Sequence, residues 1–258
     1  MEVSEPLPQQ PTALLKPLWP LRPGTRLGVG IGVLTVALGL VPARAEVSGV
    51  PVGGPSLGTV INGVTDGVCS SGPCAVSGGT GAGANLFHRF GAFDTRGGIT
   101  GVSIQSGGYQ NVIVGVMSAL GTTIDQPVSL SAPGNLFWLS PGGIRLGGAG
   151  GFVNVQQLQL STATGLRIGG GVFDALGTTA AQAAALGGEP LRGSAGLLSD
   201  PATLLQQGLA SNGDISLADG LLTVDHSLLL DSQGGNVLLQ AAQLQAPVIA
   251  VHLSLIHI

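Results

Sequence analysis

The sequence predicts an all-β chain wound as a parallel β-helix, a solenoid of short strands joined at Gly-rich corners. Three observations predict it. Apolar side chains make up 44% of the 258 residues, while 45 Gly and 16 Pro supply turns in unusual number. Disordered chains combine low hydrophobicity with high net charge, and a formal charge of −4 on so apolar a chain does not fit that class. The second observation is texture: apolar runs of three to six residues, broken by Gly, Pro, Asn or Asp. Asn135–Leu139, Ser140–Gly143, Ile144–Leu146 and Phe152–Val155 follow one another in this way, too short and too broken for helices. The third is a repeat. Gly213-Asp214-Ile215-Ser216-Leu217 recurs as Gly235-Asn236-Val237-Leu238-Leu239, and the same shift places Leu222 over Leu244. A period of about 20 to 25 residues belongs to solenoids. A sandwich calls for hairpins with two-residue turns, and a doubly wound fold calls for intervening helices. At about 20 residues per coil, the chain after Ala45 makes roughly ten coils, less any cap or excursion.

Residues 1–45 read as a secretory signal peptide. Lys16, Arg22 and Arg26 precede an uncharged run from Leu27 to Leu40, and Ala43-Arg44-Ala45 places small residues where a signal peptidase inspects them. That run is shorter than the roughly 20 residues a membrane-spanning helix needs. Downstream of Ala45 there are five Arg and no Lys against eleven Asp and Glu, which disfavours nucleic acid and other phosphate-rich partners. Cys69 and Cys74 flank Ser-Ser-Gly-Pro and are expected to close a small disulfide loop, the ordinary use of a local pair in an exported chain. Half of a metal site, or two free thiols, are the competing readings. Thr178–Leu186, with five Ala, reads as a short extra helix or an exposed loop. From Ser211 onward the repeat texture continues to the end, so residues 191–258 read as further coils of a longer solenoid. The closing Leu253–Ile258 resembles a translated sequencing-adapter tail.

Two segments carry a family resemblance. Asn85-Leu86-Phe87-His88-Arg89-Phe90, after Ser77-Gly78-Gly79-Thr80, resembles the signature of filamentous haemagglutinin N-terminal domains, the secretion domains of two-partner secretion. Gly134-Asn135-Leu136-Phe137-Trp138-Leu139-Ser140-Pro141-Gly142-Gly143-Ile144 is similar to a second segment of that family, in the family's order and spacing. The resemblance covers about residues 47–175, within a secretion domain expected over 46–190. It implies a right-handed, single-stranded parallel β-helix with an N-terminal cap. It also implies passage through the periplasm of a Gram-negative bacterium to the cell surface or medium, through a partner outer-membrane β-barrel transporter with periplasmic docking domains. By this resemblance Asn85, Leu86, Phe87, His88, Phe90, Asn135, Pro141, Gly143 and Ile144 form the secretion motif. A passenger of adhesin, haemagglutinin, cytolysin or toxin type would meet a host or neighbouring cell.

The sequence departs from the family pattern at three positions. Ser140 and Gly142 stand where the family has Asn; Ser can hydrogen-bond locally and Gly can supply a positive-φ turn. Arg89 replaces the family's Ser and is expected to face solvent. Phe87, Phe90 and Phe93 recur every three residues, suiting one side of a helical turn or a plug for the open end of a solenoid. Packing is the ordinary role of such aromatics, and addition of this strand to a docking domain is the functional alternative. His88 is read as a hydrogen-bonded structural residue, since none of His88, His226, His252 and His257 stands at metal-ligand spacing.

Parallel β-helices also host polysaccharide lyases and hydrolases, which need clustered carboxylates. The nearest approach to a cluster, Asp214, Asp219, Asp225 and Asp231, sits in turn-like contexts. No nucleophile elbow, phosphate-cradling Lys loop or zinc-protease motif is present. The reading is therefore a non-enzymatic secretion module without metal or cofactor; a glycan-active enzyme and a plain surface stalk are the alternatives.

Overall fold

The computed structural model describes residues 45–209 and 211–254. Ala43 and the remainder of the expected leader lie outside the described residues, as do 255–258; Ala45 is the first described residue. The chain is 53% strand and 6% helix, a parallel β-solenoid of about eight turns. One sheet of seven strands runs Val237–Gln240, Ile215–Ala218, Ile144–Leu146, Thr122–Ile124, Ala92–Asp94, Val47–Ser48, Val68–Cys69. A second sheet of eleven strands forms the other walls, because Pro127–Leu139 bends at an irregularity between Ser129 and Gly134. Its first part pairs with Gly98–Ile104 and its second with Asn111–Val116, all in parallel.

The repeat seen in the sequence is a true stacking register. Ile215 lies beside Val237, Leu217 beside Leu239, and Leu222 beside Leu244. Glycines let the corners of these coils touch. A Cβ on Gly213 would sit 2.3 Å from the Gly142 carbonyl oxygen, and one on Gly235 would sit 2.4 Å from that of Gly213.

Fewer coils form than chain length alone suggests, because a segment leaves the solenoid. Leu139 pairs with Ser161, an ordinary coil's length further on, whereas the next partner of Ser161 is Asp231, far beyond one coil. The extra length, within 163–212, makes a separate sheet of Gly165–Ile168, Gly171–Asp174 and Leu197–Leu198, with helices Ala180–Ala184 and Pro201–Gln206. The Ala-rich stretch is thus a helix, started by a capping box between Thr179 and Gln182. Position 190, the expected domain boundary, falls inside this excursion. Its ends meet, since the Asn212 side-chain amide donates to the Thr162 carbonyl. At the N-terminal end the pairing turns antiparallel, with Thr59–Ile61 between Val64–Thr65 and Ser71–Gly78.

Two cores result. The solenoid interior holds Val47, Phe90, Phe93, Val114, Trp138, Phe152, Leu160 and their neighbours, with the Trp138 ring edge-to-face on Phe93 at 4.6 Å. A second core lies outside it, where Phe87, Ile113, Phe137 and Leu139 meet Leu166, Ile168, Phe173, Ala175 and Ala183 of the excursion. Strands Asn85–Phe90 and Asn111–Val116 are therefore buried on both faces. That explains why Val112–Val116 runs apolar without alternation, and why the polar Asn85, His88 and Arg89 are buried as well.

Candidate functional site

The segment expected to carry secretion is an extended strand, and its side chains divide by parity. Leu86, His88 and Phe90 share one face, with Phe90 in the solenoid interior; Asn85, Phe87 and Arg89 share the other, beneath the excursion. Phe87, Phe90 and Phe93 consequently do not share one face of a helical turn. Phe87 packs with its ring tilted against Phe173 at 5.2 Å in the outer core, while Phe90 meets Phe93 at 5.1 Å in the inner one.

Asn85 begins a ladder. It pairs in register with Asn111, which pairs with Asn135. The Asn111 amide donates to Asn85 Oδ1 at 2.9 Å, and Asn135 donates to Asn111 Oδ1 at 2.8 Å. The free amide hydrogens of Asn85 reach the carbonyls of Leu186 and Gly188 at 2.8 and 2.7 Å. All three residues are buried, so the ladder replaces the water each amide loses. Asn111 is the member that motif reasoning missed. Its signal is an Asn followed by an apolar run, as at Asn135, but the step from Asn85 to Asn111 is longer than the step from Asn111 to Asn135.

Arg89 corrects an expectation: it is fully buried, not solvent-facing. Its guanidinium donates to four backbone carbonyls: Ala175 at 2.8 Å, Asp174 at 2.7 Å, and Thr178 and Pro55 at 2.5 Å each. The cation also lies 5.6 Å above the Phe173 ring. Burial pulls its pKa down to about 10, with the Asp174 charge opposing that pull. The register neighbour of Arg89 is Gly115, where a Cβ would stand 2.8 Å from the Ala175 carbonyl oxygen. Only a glycine there lets the excursion come down onto Arg89.

His88 points away from that cage. The Thr59 hydroxyl accepts from the Arg89 amide and shares a hydrogen bond of 3.3 Å with His88 Nδ1. Nε2 has no partner among the described residues, and burial lowers the imidazole pKa to about 4. The ring is therefore neutral at ordinary pH.

No family model and no curated protein matches this chain. The second resembling segment folds into a strand and a corner. Trp138 Nε1 donates to the Thr122 hydroxyl, which donates to Ser140 Oγ, which donates to the Gly143 carbonyl. Ser140 thus closes the turn from its own side chain. The positive φ of that turn, +112°, falls on Gly143 and not on Gly142. Gly142 is held by a close approach, since a Cβ there would meet the Ser118 carbonyl oxygen at 2.5 Å. Pro141 and Ile144 flank the turn, and Ile144 continues the first sheet beside Thr122.

Cys69 and Cys74 are joined as a disulfide. Elsewhere, Asp231 is fully buried and accepts from Ser161 Oγ at 3.2 Å and Gln233 Nε2 at 2.7 Å, with His252 Nδ1 at 2.6 Å from its other oxygen. The three residue types of a hydrolytic triad meet here in the wrong order. The Ser hydroxyl donates to the carboxylate and not to the imidazole, so the Ser–His contact of such a triad is not made.

Proposed function

We propose that this chain is the N-terminal secretion domain of a large exported protein. It is led through the periplasm to an outer-membrane β-barrel with periplasmic docking domains, and it nucleates its own solenoid on emergence. The observation that supports this reading most is the arrangement of the two resembling segments. Asn85–Phe90 and Asn135–Leu139 lie in one sheet with a single strand between them, tied by Asn111. In the periplasm, before the solenoid closes, both are exposed because residues 163–212 do not yet cover them. In that interval an extended strand can add to the edge of a docking domain.

The test fuses residues 1–258 to a reporter and compares release with and without the transporter. Release only with the transporter is expected; equal release in both would sink the proposal. Replacing Asn85–Phe90 by Ala should block export. Calcium-dependent cleavage of a polysaccharide by the purified chain would favour the enzyme reading instead.

A further inference from the structure

We propose that the Cys69–Cys74 bond is a redox gate that the fold latches: it is made on the open chain and then sealed in both directions when the first coil closes. Such a gate depends on where the sulfurs lie and is independent of the secretion reading. Cys69 ends the Val68–Cys69 strand at the edge of the seven-stranded sheet, and Cys74 sits in Ser71–Gly78 of the other sheet. The bond therefore ties the two sheets together at a corner of the solenoid. Both residues are 2% exposed or less and belong to the inner core with Val47, Ile61, Val76 and Val102. Cys69 is paired in register with Val47, which in turn pairs with Phe93.

Disulfide exchange requires a thiolate to approach along the sulfur–sulfur axis. With both cysteines 2% exposed or less, the closed coil restricts that approach to the rim of a shallow groove beside Cys74, lined by Pro73, Val102 and Pro127. On the open chain, the Cys69 thiolate attacks one sulfur of an exchange partner, an oxidised glutathione or a protein disulfide, and expels one partner thiolate. The Cys74 thiolate then attacks the Cys69 sulfur of the mixed disulfide and expels the second. The two cysteines lose two electrons and two protons, and the partner leaves as two thiols. Once Val47–Ser48 pairs with Val68–Cys69, neither oxidation nor reduction proceeds without opening that coil. The chain thereby keeps the redox state it had when it folded.

The test uses the purified full chain and a small dithiol reductant, with thiols counted by a mass-shifting maleimide. Reduction in native buffer is expected to be more than ~30-fold slower than in concentrated urea; a smaller ratio overturns the gate. Val47→Ala removes packing beside Cys69 without touching either sulfur. It should speed native reduction, and an unchanged rate would show that coil opening is not the barrier.

Discussion

Replacing Arg89 by Met isolates the work of one buried cation. The Met side chain keeps much of the aliphatic stem but offers no donor, so the carbonyls of Ala175, Asp174, Thr178 and Pro55 each lose a hydrogen bond. The bonds to Ala175 and Thr178 are buried, whereas Asp174 and Pro55 lie close enough to the surface to regain water. Hydrogen bonds to a charged group contribute about 1.5–3 kcal/mol each, so the two buried ones put the loss at about 3–6 kcal/mol. The damage should be local. Three of the four carbonyls belong to the excursion, so amide hydrogen exchange across 163–212 should accelerate more than that of Thr122–Ile124 or Ile144–Leu146. Urea unfolding gives the global figure and exchange mass spectrometry gives its distribution. An unfolding free energy within about 0.5 kcal/mol of the wild type, with unchanged exchange in the excursion, would refute the reasoning. Arg89→Lys should recover part of the loss, because an ammonium has three donors for four carbonyls.

The remaining predictions follow from single contacts. His88 has its pKa lowered from 6.5 to about 4, so it contributes stability that is whole above pH 6.5 and is lost as pH falls toward 4. At 1.36 kcal/mol per unit the span is about 3 kcal/mol, and urea titrations of wild type and His88→Phe should differ in pH dependence by that amount. Removing both Cys69 and Cys74 as Ala should cost about 2 kcal/mol by the chain-entropy model for so short a loop, read as a shift in the urea midpoint. Gly115→Ala places a methyl against the Ala175 carbonyl and should raise exchange in the excursion while leaving the far coils unchanged.

Much of the solenoid was legible because its cause is local. Gly213 and Gly235 head successive coils that stack in register, and the strands between them follow from apolar runs punctuated by Gly. The rest was hidden by distance along the chain. The excursion inserted between Ser161 and Asp231 breaks the period where it could have been counted. Burial of Arg89 depends on carbonyls 85 to 89 residues downstream and one 34 residues upstream. No pattern around Arg89 reports that. Asp231 and His252 likewise meet only because successive coils stack, 21 residues apart.

The ladder supplies a way to separate packing from recognition. Asn85 belongs to the segment that resembles a secretion motif, and it also holds Leu186 and Gly188 of the excursion. Loss of export in Asn85→Ala would therefore not reveal which role had failed. Asn111 is in the same ladder, equally buried and bonded to Asn85 and Asn135, yet it lies outside both resembling segments. Asn111→Ala orphans one acceptor and one donor, a cost of about 2–6 kcal/mol for the pair. If recognition of the open chain drives export, Asn111→Ala should be released far better than Asn85→Ala at matched stability. If both fall together in proportion to lost stability, the Asn85 strand acts through folding alone, and export follows from how firmly the solenoid closes.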